Sequence, residues 1–379
     1  MHRSLKIAII PSSNPILECM ELALRDLGVS LLAISVVKEN NSFVINNSEI
    51  EKLVQFKPDF VFFIARTGLL PINREGGLTN HLLDELQIRY VIFYFDFPRC
   101  MPQLCAYSHN FLQHIFTWDR THVDIFKYYG FSRVSFLPLA YSTQYFSAPA
   151  SREKTYDICF IGFLFPPKDI TQFYNSLNAR LKRKADELLN KKIKEEAYKI
   201  FVLDNMLASE QLDQFTHYFN YINYRYNNYK RKSYISYLSK SKDVHVFGDE
   251  LWREVAGITV HSPVNYKEAI VSVFANSKIN LNFTSAHNTT ALTQRIFDCF
   301  GSGEFLLSDR QDDNAYLFSV DNIEIPTFSS KSDLVDKVNY FLSHPEERFE
   351  IVQRTQKVVL EKHTWECRMK TALDILLKN

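Results

Sequence analysis

Residues 278–308 read KINLNFTSAHNTTALTQRIFDCFGSGEFLLS, and their pattern indicates a strand, a helix and a second strand in succession. The apolar run at 278–283 predicts a buried strand that ends at a polar Thr-Ser pair. Residues 290–300 have helical apolar spacing and are followed by a Gly-Ser-Gly break, which predicts a helix and its end. Residues 305–308 predict the next strand. This order is typical of a parallel α/β sheet with crossover helices.

The same alternation extends through the chain in both directions. In the second half, further strands are predicted at 156–161, 244–247 and 322–325, with a helix at 332–342. The first half alternates in the same way, with predicted strands at 6–10, 30–37, 59–65, 89–95, 114–118 and 134–137. We therefore predict two tandem Rossmann-like α/β domains, residues 1–150 and 151–379, with a C-terminal helix at 364–378 in the second domain.

A helical insertion interrupts the second domain at residues 163–242. The segment is charged and rich in tyrosine, with seven tyrosines between residues 218 and 237, and it predicts two to four helices. Tyrosine and lysine suit a membrane boundary or a protein partner, whereas helix-on-helix packing of the tyrosines is the structural alternative. We expect the insertion to serve acceptor or partner recognition and to lie outside the donor site.

Composition excludes several classes of function. The net charge of the 379 residues is +1, which gives no strong field for nucleic acid. The six cysteines are dispersed, so buried free thiols are expected, and no run approaches the ~20 apolar residues of a membrane span. We find no signal peptide pattern and expect a cytoplasmic protein, with a peripheral position at the membrane as the alternative.

Motifs of other nucleotide enzymes are missing from the sequence. It contains no G-x-G-x-x-G after the first strand, no phosphate-binding P-loop and no G-x-S-x-G elbow. The adjacent Asp312 and Asp313 fall in a stretch that reads as an exposed turn or helix start. We therefore expect no metal site and no bound cofactor.

Ligands of open α/β sheets bind beyond the carboxyl ends of the strands, so residues that follow strands are the candidates. Two such domains facing each other would form one cleft. The candidates for the first domain, on the acceptor side, are Ser12, Asn14, Arg66 and Asp96. Those for the second domain, on the donor side, are Gly162, Gly248, Asn282, His287 and Thr290.

Arg295 and Asp298 are the strongest candidates in the helix predicted at 290–300. A helix N-terminus stabilises anions, and a guanidinium can fork onto phosphate oxygens, which suggests a diphosphate near Arg295. Asp298 would be repelled by phosphate, so we expect it to accept hydrogen bonds from ribose hydroxyls. A surface ion pair between the two residues, without function, is the alternative.

These blocks resemble the C-terminal domain of CgeB-like glycosyltransferases, the spore-maturation-protein type within the GT-B fold. The resembling pieces are LN at 281–282, RIFD at 295–298, GSG at 301–303, FLL at 305–307, HPEER at 344–348, and HTW at 363–365 with Arg368. Weaker matches are YD at 156–157, FIG at 160–162, VFG at 246–248, DFP at 96–98 and LPLA at 137–140. The insertion lies outside the resemblance.

The resemblance implies transfer of a sugar from a nucleotide-sugar donor to an acceptor hydroxyl on a glycan, a lipid-linked glycan or a protein. It implies donor binding by the second domain and acceptor binding by the first. Asp298 falls where many related retaining enzymes carry the second of two glutamates, and Thr290 falls at the first. A threonine cannot make the same charged contact, so retention and inversion both stay open, with His287 and Asn288 as substitute polar partners.

The reaction also needs a general base if it proceeds with inversion. Asp96, after a predicted buried strand, is the candidate, and a turn carboxylate before Pro98 is the structural alternative. Two other functions stay open, which are a non-catalytic sugar- or nucleotide-binding protein and a sugar-nucleotide epimerase of the same fold. Release of nucleotide from a donor without acceptor would separate a transferase from a binding protein, whereas an epimerase would change the sugar.

Overall fold

A computed structural model describes most of the 379 residues of the chain. The described residues are 4–39, 42–65, 67–68, 70–73, 79–98, 111–146, 154–202, 212–267 and 269–378.

Sixteen strands are found in the described residues. In chain order, β1 to β16 are Lys6–Ile9, Ser30–Ala33, Val37–Glu39, Ser42–Val44, Phe60–Ile64, Pro71–Asn73, Thr79–His81, Tyr90–Tyr94, Gln113–Thr117, Val134–Phe136, Tyr156–Ile161, Val244–Phe247, Ile258–His261, Ser277–Asn282, Leu306–Asp309 and Thr327–Phe328.

Thirteen α-helices connect or cover these strands in the same described ranges. In chain order, α1 to α13 are Pro15–Asp26, Asn47–Phe56, Leu82–Glu85, Arg120–Tyr128, Pro167–Asn175, Ala179–Lys194, Leu212–Leu238, Ile270–Ala275, Gln294–Gly301, Asp313–Phe318, Lys331–Ser343, Pro345–Lys362 and Trp365–Lys378.

The chain divides into two compact units. The first contains Met1–Pro138 and Trp365–Asn379, and the second contains Leu139–Thr364. The second unit thus begins earlier than the predicted boundary near residue 150. Helix α13, which the sequence analysis assigned to the second domain, belongs to the first unit and packs against α1.

The first unit is built on a six-stranded parallel sheet with the order β10-β9-β8-β5-β1-β2. Its central strands β5 and β8 are buried along their whole length, because helices cover both faces of such a sheet. One core cluster includes Ala8, Val61 and Ile92 from three adjacent strands. The direction of strand addition reverses between β1 and β5, so the loop after β1 lies at the switch point of this sheet.

The second unit contains a parallel sheet with the order β13-β12-β11-β14-β15-β16. Strand β11 pairs with β12 on one side and with β14 on the other. The direction of addition reverses at this point, so the crevice between the ends of β11 and β14 is where a ligand is expected. Both sheets have the Rossmann-like arrangement predicted from the sequence.

The insertion consists of three helices in the described residues, α5, α6 and α7, as the sequence predicted. Most tyrosines of α7 point into the unit, and Tyr218, Tyr226 and Tyr234 are each at most 2% exposed. Burial raises the pKa of the Tyr218 hydroxyl, as expected for a ring packed away from solvent. Packing between helices therefore accounts for most of the tyrosine content.

Some predicted elements differ from the structure. Helix α9 begins at Gln294 and not at residue 290. Residues 322–325 form no strand, and the last strand, β16, is instead Thr327–Phe328. Helix α10 begins at Asp313, which agrees with the helix start that the sequence offered there, but the Asp313 side chain is buried and not exposed.

Two observations concern the expected setting of the protein. None of the helices in the described ranges has an apolar stretch long enough to cross a bilayer. Cys19, Cys159 and Cys299 are buried free thiols, as predicted, whereas Cys100 and Cys105 lie outside the described residues.

Candidate functional site

The end of strand β11 is packed tightly against the end of β12. Trp252 donates its indole N–H to the Gly162 carbonyl oxygen over 2.7 Å. A Cβ atom on Gly248 would lie 2.4 Å from the same oxygen, closer than any side chain can approach. Gly162 and Gly248, both candidate site residues, therefore lie at the predicted edge and allow the two strand ends to meet there.

Arg295 is the second residue of helix α9, so it lies closer to the helix N-terminus than in the helix predicted at 290–300. Its guanidinium carbon lies 6.0 Å from the centre of the Phe160 ring on β11. Within the described residues it has no hydrogen-bond partner and no ion pair, and its Nε is buried. Burial lowers the pKa of Arg295 to about 10, so the side chain stays charged at neutral pH.

Arg231, on helix α7, contributes a second guanidinium at this edge. Its Nη1 donates to the Phe163 carbonyl oxygen, just beyond the end of β11. No carboxylate among the described residues forms an ion pair with it. Burial, and then the positive charge of Arg295, lower the pKa of Arg231 to about 10. Two neighbouring cations without carboxylate partners form an arrangement that a bound anion would stabilise.

Asp298 lies behind this edge and is 0% exposed. Its oxygens accept hydrogen bonds from the Tyr266 hydroxyl at 2.8 Å and from Gln294 Nε2 at 2.7 Å. Burial raises the pKa of Asp298 to about 7. The structure therefore gives this carboxylate a different role from the expected ribose contact, since it fixes Tyr266 and Gln294 inside the unit. An ion pair between Arg295 and Asp298 is also absent from the described contacts.

Asn282 and Thr290 are buried supports of the same region. Asn282 donates to Ser308 Oγ at 2.9 Å and accepts from Thr293 Oγ1 at 3.1 Å, which ties the start of α9 to β15. Thr290 donates its hydroxyl to Asp313 over 3.3 Å. Both side chains are at most 4% exposed, so neither presents the donor contact that the sequence suggested.

His287 is half-buried and contacts the insertion. Its Nδ1 lies 3.2 Å from Asn223 Oδ1 on α7, and the neighbouring Ala286 N–H donates to Asn227 Oδ1 at 3.1 Å. Helix α7 therefore packs directly on the loop that follows β14. The sequence analysis expected the insertion to lie outside the donor site, but α7 contacts a loop on the donor side.

A cavity of about 420 Å³ opens at the carboxyl ends of β14, β15 and β16. Lys192, Lys199 and Lys230 line one part of it. Burial, and then repulsion from Lys230, lower the pKa of Lys192 to about 8. Asn288 also lines the cavity, and its buried Oδ1 has no partner among the described residues. Because Lys230 and Arg231 are consecutive in α7, the cavity and the arginine pair are neighbours along that helix.

The candidates of the first unit lie after β1 and β8. The Asn14 side chain caps α1 by accepting from the Ile16 N–H at 3.0 Å, and Ser12 Oγ accepts from the Asn14 N–H at 3.3 Å. These contacts explain both residues structurally. Asp96 is exposed in the turn after β8, whereas Arg66 lies outside the described residues.

No metal-binding group is found in the part of the chain that the structure describes. There, no three histidine, cysteine, aspartate or glutamate side chains come together in a way that could hold an ion. Asp312 and Asp313, the adjacent acidic pair, have separate partners, because Asp312 pairs with Lys199 and Asp313 accepts from Thr290.

Sequence reasoning missed Arg231 and Lys230. Both lie in the helical insertion, and their partners are 68 and 79 residues away in the chain. The available signal is a run of amide and basic residues, Asn227, Asn228, Lys230 and Arg231, within an otherwise aromatic helix. Such a run indicates a face that meets polar groups, but it does not identify them.

Comparisons with known proteins agree with this architecture. Residues 231–374 match a family model described as glycosyl transferase-like. No curated protein sequence matches the chain significantly. The matched segment begins at Arg231 and includes β12 to β16 and helix α9, so it contains both arginines of the site.

Solved structures with the same fold include several glycosyltransferases. Sucrose-phosphate synthase from Thermosynechococcus elongatus has a TM-score of 0.56 and 8% identity over 99% of this chain and 98% of its own. A glycosyltransferase from Rickettsia africae has a TM-score of 0.56 and 11% identity, with all of both chains covered. A DNA-modifying beta-glucosyltransferase, whose substrate is uridine diphosphoglucose, has a TM-score of 0.54 and 12% identity over 99% and 100% of the two chains. The chain thus has the GT-B fold of two Rossmann-like domains, and its residues 231–374 are similar to a glycosyl transferase-like family.

Proposed function

We propose that this protein is a glycosyltransferase that moves a sugar from a nucleotide-sugar donor to an acceptor hydroxyl, with the donor diphosphate bound between Arg231 and Arg295. The observation that carries the proposal is the pair of guanidinium groups at the switch point of the second sheet. Neither forms an ion pair with a carboxylate among the described residues. Burying like charges together costs free energy unless an anion compensates them.

The proposed chemistry follows from the leaving group. When the bond from the sugar to the diphosphate breaks, negative charge develops on the phosphate oxygens, and fixed cations stabilise that charge. Arg295 also lies in the first turn of α9, where the backbone N–H groups and the helix dipole favour an anion. These groups are sufficient without a metal, so we propose metal-independent transfer.

The fold relatives and the family match support a nucleotide sugar as donor. Uridine diphosphoglucose is the substrate of one fold relative, so UDP is the first nucleotide to test. The RIFD and HPEER blocks support the CgeB-like subtype proposed from the sequence. The acceptor is proposed to be a glycan, a lipid-linked glycan or a protein, and Asp96 is proposed as the base if transfer proceeds with inversion.

The direct test is calorimetric titration of the purified protein with UDP and with UDP-sugars. We expect Arg231→Ala and Arg295→Ala to weaken binding, whereas Arg225→Ala serves as the matched control. Arg225 is exposed on the same helix α7 and is not part of the arginine pair. Equal UDP affinity in all four proteins would refute the assignment of the diphosphate site.

A second test separates transfer from simple binding. The protein is incubated with UDP-sugar in the presence of excess EDTA, and release of UDP is followed by chromatography. We expect slow UDP release that EDTA does not change and that both arginine substitutions reduce. Release that stops in EDTA and returns with Mn²⁺ would contradict metal independence, and conversion of the sugar without UDP release would indicate an epimerase.

A further inference from the structure

A second and larger cavity of the second unit lies on the other side of helix α7. It is a groove of about 950 Å³ between α5 and α7, and the segment around Glu254 also lines it. Tyr221, Arg225 and Lys232 recur along the side of α7 that lines it. None of these side chains belongs to the arginine pair at the strand ends, so α7 separates two sites.

Two tyrosines in the groove are held in fixed positions. Tyr174 of α5 and Tyr221 of α7 each donate a hydroxyl hydrogen bond of 2.8 Å to Asp186, one to each carboxylate oxygen. Their ring centres lie 4.7 Å apart. Because both hydroxyls are committed to Asp186, the rings are preorganised, and ordering them on binding costs little entropy.

The walls of the groove combine these rings with charged groups of both signs. Arg225 is exposed and has no hydrogen bond or ion pair with the described residues. Lys232 and Glu254 form an exposed ion pair over 2.5 Å. An alkyl chain would leave these polar groups unmatched, whereas a sugar offers apolar C–H faces for the rings and hydroxyls that both donate and accept.

The groove and the proposed donor site are both bordered by one short segment, residues 163–165. Asn228, which lines the groove, accepts from the Phe165 N–H at 2.9 Å and donates to the Phe165 carbonyl at 2.8 Å. Arg231, less than one turn further along α7, donates to the Phe163 carbonyl. A ligand in the groove would therefore lie close to the segment that Arg231 contacts, and the side chain of Phe163 is 55% exposed there.

We infer that the groove between α5 and α7 binds a carbohydrate chain, which is the acceptor in the proposed function. The identification of this carbohydrate as the acceptor rests on the proposed function, whereas the binding of a carbohydrate is argued from the groove alone. The insertion would then supply part of the recognition of the acceptor.

The test begins with the full-length protein on a printed array of oligosaccharides, and the glycan bound most tightly is then titrated by calorimetry. Tyr229 of α7 also lines the groove. We expect Arg225→Glu and Tyr229→Ala to weaken glycan binding at least tenfold, while the UDP affinity stays within twofold of wild type. Arg180→Glu on α6 is the matched control, because Arg180 is exposed and lies outside the groove. Circular dichroism confirms that each variant is folded.

Three outcomes would overturn the inference. They are the absence of any glycan bound on the array, wild-type glycan affinity in both groove variants, and loss of binding to phosphatidylglycerol vesicles in place of glycans in those variants. The inference and the proposed function can fail independently. Unchanged UDP affinity in Arg295→Ala would remove the donor site and leave the glycan result standing.

Discussion

The ammonium group of Lys230 lies 2.6 Å from the carboxylate of Asp309 and joins helix α7 to the end of strand β15. Both side chains are shielded, at 13% and 6% exposed. Asp309 also accepts from the Thr284 N–H and hydroxyl, each at 2.9 Å. The insertion is thus connected to the strand ends by a buried ion pair, and it cannot be removed without exposing that carboxylate.

We expect Lys230→Met to lower the free energy of unfolding by about 2 kcal/mol, because it leaves Asp309 buried without its cation and with only neutral hydrogen-bond donors. The matched control is Lys199→Met, which breaks an exposed ion pair with Asp312 beside the same cavity. That change should cost about 0.5 kcal/mol. Urea unfolding at neutral pH measures both values, and equal losses would contradict the special position of Lys230.

The arginine pair predicts opposite effects on binding and on stability. Arg295→Ala and Arg231→Ala should each weaken UDP binding by about 2–3 kcal/mol, or roughly 30- to 150-fold, because each removes a charge-assisted contact. Arg295→Lys should recover only part of the loss, since an ammonium cannot fork. Arg295→Met keeps more of the side-chain volume than Arg295→Ala. It should raise the free energy of unfolding without ligand by about 1 kcal/mol, because a shielded cation without a partner is removed. Simultaneous loss of stability and affinity would instead indicate a structural role.

Asp298 predicts a pH dependence of stability. Burial raises its pKa from 3.8 to about 7, so the folded protein keeps a proton that the unfolded chain releases near pH 4. This group therefore contributes most stability below about pH 4, and the contribution is lost as the pH rises to about 7. Asp298→Asn should become more stable relative to wild type between pH 5 and 7, by at most about 1.4 kcal/mol per pH unit. The exposed Asp312→Asn is the control, and a pH-independent difference between Asp298→Asn and wild type would refute the prediction.

Gly248 predicts a steric effect at the strand ends. A methyl group there would overlap the Gly162 carbonyl oxygen, at 2.4 Å, and the Trp252 ring, at 2.6 Å. We expect Gly248→Ala to lower the free energy of unfolding by about 2–3 kcal/mol, because backbone cannot move aside as a flexible side chain can. Ser241→Ala, at an exposed position just before β12, should change it by less than about 0.5 kcal/mol. Thermal unfolding of the two variants measures both changes, and equal losses of stability would contradict the steric effect expected at Gly248.

The sequence predicted the central strands closely and the start of α9 poorly. The observed bounds of β11 and β12, Tyr156–Ile161 and Val244–Phe247, coincide with the predicted ones, because buried parallel strands are short apolar runs with clear ends. Helix α9 begins four residues late because Thr290 bonds to Asp313, a partner 23 residues away. Edge strand β13 was missed, since its residues are partly exposed and lack that continuous apolar pattern.

Site residues were predicted from their positions after strands, but the sequence did not show which of these side chains are buried inside the unit. Arg295 keeps an unpaired guanidinium at the edge, whereas Asp298, three residues later, turns into the unit and bonds to Tyr266. Sequence spacing places both on one helix but does not reveal which side chain the rest of the unit covers. Arg231 depends on a contact between separate elements, and the run of amide and basic residues around it does not identify the partner.

The assignment of α13 to the first unit has a consequence for biosynthesis. The ribosome makes all of Leu139–Thr364 before it makes Trp365–Lys378, so the nascent first unit lacks its last helix for about 10–45 s at ordinary translation rates. During that time the surface of α1 that α13 covers is open to chaperones or to misassembly. The first unit to begin synthesis is therefore the last to be completed.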